Sequence, residues 1–470
     1  MSRESALVKN TLLLCVGKFL PKLFTLITLP IMTAELSKAE YGTFDLIETL
    51  VTLLLPAVTL QIQSAAFRFL IDCRNDKERS SAIITNIMAF TLFMSVITVL
   101  IFLLVSVNID LTTRLLVGLY FLADIEMCTV GMIVRGLSYN KYFSMAYVEL
   151  SFVNMIVTVI TLKFFKWGIN GVILGLLLGN IIGVVYMAHK SKLFSYISFN
   201  KLSKKQIKEM LAYSWPMVPN NMSNWVLNLS DRLIIISFIG IEANGVFAVA
   251  SKIPKLFMIV QQVLVMAWQE NAAIYANDKD VEKYYSKMFD KIYCLAVGAM
   301  GMLIAFSPIL FKILVRGEYD EAFFQMPILF LGLLFCCLSA FQGGIYLAYK
   351  KTKSVGVTTM ISAGVNVLVD LSLINFIGIT AGSVSTLVAY MFLFVFRMFN
   401  VLKIQKLTYN YGKIIGLFAV LCVMSVLCYQ RNMVLDIVNM VISLAFFALI
   451  NKSVIVSFLK TAKKKLTHGE

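Results

Sequence analysis

The stretch "SDRLIIISFIGIEANGVFAVASKI", residues 230–253, sets an acid and a base, Asp231 and Arg232, directly ahead of a nearly unbroken apolar run. Whether that pair lies at a surface or inside a membrane depends on what solvent surrounds the run, and the rest of the chain decides it. Of 470 residues, 59% are hydrophobic and 14% charged, with a mean hydropathy of +0.83. A soluble domain is already about half apolar and could not hide this much more. The apolar residues fall in runs of roughly 18 to 28, long enough to cross a bilayer core at 1.5 Å per residue. The fold class is therefore an all-α polytopic membrane protein. The opening "MSRESALVKN" does not read as a cleaved signal peptide, because the apolar run after it is too long and carries Lys18 and Lys22.

The hydropathy pattern predicts about fourteen transmembrane helices, at roughly 8–33, 42–68, 81–107, 112–134, 143–165, 168–188, 210–239, 243–270, 288–315, 323–348, 355–376, 379–401, 411–430 and 433–451. Three weak matches recur in order. "LSYNKYFS" at 137–144 pairs with "LAYKKTKS" at 347–354, and "KWGINGVILG" at 166–175 with "FIGITAGSVS" at 376–385, aligning Gly168 with Gly378. "EYGTF" at 40–44 pairs with "ANGVF" at 243–247, aligning Gly42 with Gly245. The expected organisation is two six-helix lobes of one topology, residues 1–190 and 210–404, around a central cavity. A basic linker, 191–209, joins them, and a helix pair with a basic tail fills 405–470. Parallel repeats of this kind are a transporter architecture, with the substrate site between the halves.

The net charge of +16 raises the question of nucleic acid, but its placement answers it. Lysines and arginines concentrate in alternate loops: Arg74, Lys77 and Arg79; Lys190 to Lys208; Lys279, Lys283 and Lys287; Lys350, Lys351 and Lys353; and the tail "KTAKKKLTHGE". The intervening loops "GIEAN" and "NFIGITAG" hold none. That alternation follows the positive-inside rule, putting both termini in the cytoplasm and excluding a soluble nucleic-acid binder. No loop exceeds about 25 residues, so function has to reside inside the membrane part. Seven of the eight cysteines (Cys15, Cys128, Cys294, Cys336, Cys337, Cys422, Cys428; Cys73 is the exception) sit in apolar runs without ligand spacing, and the two histidines, His189 and His468, lie in loops or tails. Neither a metal site nor a catalytic His is expected.

A charged side chain at mid-depth costs about 2.5–3.5 kcal/mol on insertion scales, so it should face protein or water. The first span carries Lys18, Lys22 and Thr25; the second carries Asp45, Glu48, Thr49, Thr52, Pro56, Thr59 and Gln63. On a continuous helix those seven occupy an arc of about 100°. The seventh span has Asn220, Asn221, Asn224, Asn228 and Asp231; the eighth has Ser251, Lys255, Gln262 and Gln269, with Lys252 at its flank. Spans 1, 2, 7 and 8 are equivalent positions of the two halves, and the stripes predict a water-filled cavity between them. The competing reading is interhelical glue, which suffices for scattered residues such as Asn154, Thr158 and Asn366. Arg68, Arg135 and Arg397 lie near predicted cytoplasmic ends, where snorkelling explains them and leaves a structural or gating role open. Asp124 and Glu126 are candidates to couple transport to H⁺ or Na⁺, although they lie about 200° apart on one helix. Asp45 and Glu48 lie near an outer end where solvation would suffice.

The opening stretch closely resembles the segment across the seventh and eighth helices of the polysaccharide transporters, the O-antigen and capsule flippase family. "LPIMTAELSKAEYGTFDL" (29–46) looks like that family's first helix connection, and "VLVMAWQE" (263–270) like the end of its eighth helix. The family belongs to the multidrug/oligosaccharidyl-lipid/polysaccharide exporter superfamily, and the resemblance covers essentially the whole chain. One departure is Ala34, where members often carry a basic residue, so no phosphate contact carries over there.

The resemblance implies a flippase, not an enzyme, moving an undecaprenyl-diphosphate-linked oligosaccharide across the bacterial cytoplasmic membrane by alternating access, without cofactor beyond a coupling ion. Lys18, Lys22, Lys252 and Lys255 then match the cations expected to meet the diphosphate. The helix 7 amides Asn220, Asn224 and Asn228, with Gln262, Thr52 and Gln63, would line the sugar path. Membrane lipids, a glycan polymerase and glycosyltransferases are the implied partners. The runner-up is a multidrug or cation exporter of the same fold, kept open by the mid-depth acids. A membrane glycan polymerase or ligase would want a large outer loop that this chain lacks. Asp231 is expected at a cavity or interhelical hydrogen bond, with Arg232 100° away as a pin to a neighbouring helix; a latch between helices is favoured over substrate contact.

Overall fold

A computed structural model describes residues 3–452 and Val456, and their side chains except those of residues 3–16, Lys18, Asn220, Asn228, Leu256, Ile259, Val260, Val263, Met266 and Ala267. Lys18, Asn220, Asn228, Cys15 and the basic tail therefore lie outside the described side chains. The described chain is helical throughout: α1 (Arg3–Glu35), α2 (Lys38–Thr59), α3 (Ile62–Asp72), α4 (Lys77–Val105), α5 (Leu111–Gly136), α6 (Asn140–Lys163), α7 (Gly168–Lys190), α8 (Lys204–Ser214), α9 (Met217–Phe238), α10 (Ile241–Ile274), α11 (Val281–Leu314), α12 (Asp320–Ala348), α13 (Thr352–Ile377), α14 (Thr380–Leu402), α15 (Tyr411–Tyr429) and α16 (Met433–Ile450). Two 3-10 turns, Leu193–Tyr196 and Phe199–Lys201, lie between α7 and α8. Among the described residues, eleven helices are long and apolar enough to cross a membrane.

The starts of the helices are written into the loops. Ser37 and Glu40 form a reciprocal capping box on α2. Asp76 caps α4, Asp110 caps α5, Ser203 caps α8, Asn410 caps α15 and Asn432 caps α16, each accepting from a backbone N–H that the first turn leaves unpaired. At Asp110 the Thr113 amide holds the carboxyl below the usual carboxylate range, since the bond forms to the charged form.

Two expected spans are cut differently. The segment 42–68 is broken: Leu60 and Gln61 both take left-handed backbone (φ 47° and 58°), which ends α2 and starts α3 on a new axis. Pro56 has already removed one N–H from that turn. The Thr59 hydroxyl accepts from Gln61 N at 3.3 Å, and Ser214 Oγ donates to Leu60 O at 2.9 Å, replacing bonds the helix gives up. The expected seventh span, 210–239, begins inside α8; the membrane-length helix starts only at Met217.

The chain forms two compact units. The first comprises Met1–Trp225 with Ile241–Gly245 and Leu314–Gly317. There α6 and α7 approach through a glycine at every fourth position of α7. A Cβ on Gly179 would stand 2.6 Å from Leu150 O, and one on Gly175 would stand 2.6 Å from Thr158 Oγ1. Without a hydrophobic drive between helices in lipid, such close backbone packing is what holds them. A core of Ile84, Ile87, Val130, Ile133, Met187 and Met210 joins α4, α5, α7 and α8.

The second unit comprises Val226–Gly240, Val246–Ile313 and Glu318–Glu470. Its centre is α12, most of whose side chains are buried. Trp268 of α10 stacks on Phe341 with ring centroids 4.2 Å apart, and its indole N–H donates to Phe341 O at 2.7 Å. Gly344 leaves the room: a Cβ there would meet Trp268 Cδ1 at 2.6 Å.

Some backbone details recur near the matched positions. Gly168 and Gly378 both take positive φ (+53° and +57°). The ends of α5 and α12 close alike, with Ser138 and Lys350 left-handed and N–H bonds from Tyr139 to Val134 O and from Lys351 to Tyr346 O. Ser138 and Lys350 are 212 apart, so the sequence match at this turn is two residues out of register; by Gly168 and Gly378 the offset is 210.

Candidate functional site

Asp231 and Arg232 are both 2% exposed. Asp231 accepts from Thr386 Oγ1 at 2.9 Å and, more weakly, from Ser385 Oγ at 3.4 Å, with Asn366 also in its shell. The helix α13 places Ser362, Asn366 and Asp370 on one fully buried face by fourfold spacing, while Leu368 and Leu371 point out. Facing them, α14 offers small residues, so Asn366 reaches Ser385 at 3.4 Å and accepts from Ser230 at 3.1 Å.

Asp370 is the unexpected member. Its carboxyl meets that of Asp231, it is 0% exposed, and no protein donor among the described residues reaches either of its oxygens. Two buried carboxyl groups in contact require a proton or a cation between them.

Arg232 lies 100° around α9 from Asp231, as the helical period demands, with its guanidinium 5.6 Å from the Phe247 ring. Asp231, Arg232, Ser251, Lys255, Thr386 and Tyr390 line a cavity of about 50 Å³ in the second unit. Its apolar wall includes Phe247, Leu329 and Leu333. Lys255 is exposed and Lys252 half-buried on α10; Gln262 is exposed. Of the expected amide stripe, Asn224 is exposed on α9.

In the first unit, Lys22 is exposed on α1. The stripe of seven on the second span does not hold as a water-facing row. Asp45 (4% exposed), Thr49, Pro56 and Thr59 are buried, Glu48 is half-buried, and only Thr52 is exposed. Gln63, assigned to the sugar path, is 3% exposed with its Oε1 unpaired. The break at Leu60 and Gln61 explains Gln63, which lies on α3 and off the axis of the other six; the six on α2 share one face, and that face packs mostly against protein rather than water. Solvation of Asp45 is likewise overturned.

Asp124 receives a hydrogen bond from Asn180 of α7 and lies near Glu48 of α2; Glu126 turns to Thr91 of α4. The two acids thus face different neighbours, as their 200° separation requires.

Of the three arginines, Arg68 pairs with exposed Asp72 at 2.6 Å, and Arg135 lies between the rings of Phe67 and Phe143 at 4.9 and 5.2 Å. Snorkelling does not describe Arg397. It is 4% exposed and donates to Thr358 Oγ1, Thr359 Oγ1, Val355 O and Ser339 O at 2.8–3.2 Å, tying α14 to α12 and α13. The guanidinium directs its donors to acceptors on two neighbouring helices.

A family model described as polysaccharide biosynthesis protein matches residues 7–275. An uncharacterized membrane protein of Methanocaldococcus jannaschii is 25% identical over 306 residues, 62% of this chain and 71% of that one. Among solved structures, the lipid II flippase MurJ in an inward closed conformation aligns with a TM-score of 0.69 at 15% identity, over 94% of this chain and 99% of that one. An inward-facing multidrug resistance MATE family transporter of the MOP superfamily aligns with 0.68 at 13%, over 83% and 98%. A MOP superfamily transporter from Pyrococcus furiosus aligns with 0.59 at 13%, over 84% and 95%. At these identities the structural likeness speaks for the fold.

Proposed function

The chain belongs to the polysaccharide biosynthesis protein family, and on that premise we propose that it is a flippase. Its substrate in this reading is an undecaprenyl-diphosphate-linked oligosaccharide, the repeat unit of an O-antigen, capsule or exopolysaccharide, carried across the bacterial cytoplasmic membrane by alternating access. Both termini lie on the cytoplasmic side, where glycosyltransferases build the substrate, and a polymerase uses it on the other.

The observation that carries this reading is that two cations, Lys255 and Arg232, line the second unit's cavity against the one acid Asp231. Basic side chains on membrane-spanning helices suit an anionic substrate group. A diphosphate is such a group, and lysine binds phosphate as a point charge. Lys22 supplies the same chemistry on α1, and Lys18 and Lys252 belong to the same set. Thr52, Asn224 and Gln262 offer the hydrogen bonds a sugar needs.

The cycle is driven by H⁺ or Na⁺, and the Asp231–Asp370 contact supports a coupling site in the second unit, with Asp124 and Glu126 as counterparts in the first. Deleting the gene should leave lipid-linked oligosaccharide on the inner leaflet and strip the surface of glycan. Lys22→Ala and Lys255→Ala should each reduce surface display severalfold at unchanged protein level, as about 1–3 kcal/mol of lost charge-assisted bonding would do. Full display from Lys18→Ala, Lys22→Ala and Lys255→Ala combined would overturn the assignment.

Export of organic cations is the second reading, favoured by Asp124 beside Glu48 in the apolar first unit. Dye efflux from vesicles that Asp124→Asn abolishes would support it.

A further inference from the structure

We propose that residues 191–214 form an interfacial anchor that binds the anionic phospholipid headgroups of the leaflet they lie against. The segment follows directly on α7, an apolar membrane-length helix that ends at Lys190, so it emerges at a face of the bilayer.

It is fastened rather than slack. Ser81 Oγ donates to Tyr196 O at 2.6 Å, and Thr85 Oγ1 accepts from Ser198 N at 3.0 Å. Asn86 is the hub: its Nδ2 donates to Lys201 O at 2.9 Å and Gln206 Oε1 at 2.8 Å, and its Oδ1 accepts from Ser203 N at 2.7 Å. On the inner side, Leu193 and Met210 are buried, and Ile207 and Leu211 pack beside Met210 at helical spacing.

With that side fixed, the outer side is determined. Phe194 is 73% exposed, Phe199 78% and Leu202 49%. Around them Lys192, Lys204, Lys205 and Lys208 are exposed. From Lys190 to Glu209 there are six lysines and one acid, a net charge of +5.

Two phenylalanines held outward by hydrogen-bonded turns, with exposed lysines close by in the same segment, have the composition of a membrane-surface element: rings enter the acyl boundary and ammonium groups meet phosphates. Zwitterionic lipid satisfies the rings but leaves the positive charge without counterions, whereas an anionic leaflet satisfies both. A soluble protein partner would have to reach a patch that starts two residues from the end of a membrane-spanning helix.

The test uses the full chain in liposomes of mixed phosphatidylcholine and phosphatidylglycerol. Phe199→Trp adds a reporter, read as the difference from the parent protein, with Phe194→Trp as a second reporter should the first variant misfold. Brominated acyl chains should quench the added indole, and brominated phosphatidylglycerol should quench it about twofold or more beyond the same fraction of brominated phosphatidylcholine. Lys204→Gln, Lys205→Gln and Lys208→Gln combined should abolish that preference while leaving quenching itself in place. An indole that no brominated lipid quenches would show that the face meets water or protein. Equal quenching by both lipids would show no headgroup selectivity. Either result overturns the proposal.

Discussion

Arg397 shows how much one buried cation can organise when every donor is used. Its guanidinium holds Ser339 O on α12 and Val355 O, Thr358 and Thr359 on α13. Lysine keeps the charge but offers a compact ammonium in place of the planar fork. Arg397→Lys should therefore destabilise the second unit by about 3 kcal/mol, the order expected when a buried charge loses its satisfied shell. A thermal-unfolding midpoint equal to that of the parent protein in the same detergent would contradict this. At Asp370 the opposite is expected. Asparagine supplies the donor that neither carboxylate has, so Asp370→Asn should raise the unfolding midpoint and, under the proposed coupling, remove the dependence of transport on H⁺ or Na⁺. Loss of stability in this variant would show that the Asp231–Asp370 contact is not a proton- or cation-sharing pair. Asp231 was legible in the sequence because it extends a polar stripe. Asp370 was not, because one acid four residues from one asparagine makes no stripe, and its partner lies 139 positions away on another helix. Periodicity reports what shares a face of one helix and is silent on what stands opposite.

At the scale of elements, hydropathy located nearly every helix and missed the places where side chains substitute for backbone bonds. The break between α2 and α3 has no glycine at Leu60 or Gln61. It is held by Thr59 and by Ser214, a residue 154 positions away, which no local rule could supply. That one break removed Gln63 from the candidate site. The segment 191–209 likewise reads as a basic linker by composition, yet it is bound along the start of α4. The bond network predicts how to release it. Asn86→Ala removes three long-range bonds at once, to Lys201, Ser203 and Gln206. Each is worth about 1 kcal/mol, so local opening should become at least about tenfold more frequent. Limited trypsin digestion should then cut after Lys201, Lys204 or Lys205 correspondingly faster, with cleavage elsewhere unchanged. An unchanged cutting rate at those lysines would mean that the core contacts of Leu193 and Met210 alone hold the segment.

At the scale of the whole chain, the weak repeat read from the sequence has a structural parallel within the first unit. The repeat-matched glycines Gly42 and Gly245 pack against each other's helices: a Cβ on Gly42 would strike Ile241 O, and a Cβ on Gly245 would strike Lys38 O. Lys38 and Ile241 are themselves related by the same offset of 203 that relates the glycines, so the crossing is its own counterpart under the repeat. Asn244 seals it by donating to Gly42 O at 2.9 Å. A methyl group at either position has only backbone to displace, and backbone cannot turn aside as a flexible side chain can. Gly42→Ala and Gly245→Ala should accordingly cost similar amounts, about 1–3 kcal/mol each. Because either methyl group forces the same two helix starts apart, the second substitution should add little to the first. A double-mutant cycle on the unfolding midpoint measures this directly, and strongly coupled, sub-additive losses are the expected result. Additive losses would mean that the two glycines serve separate contacts, and the symmetry of the crossing would then have no energetic meaning.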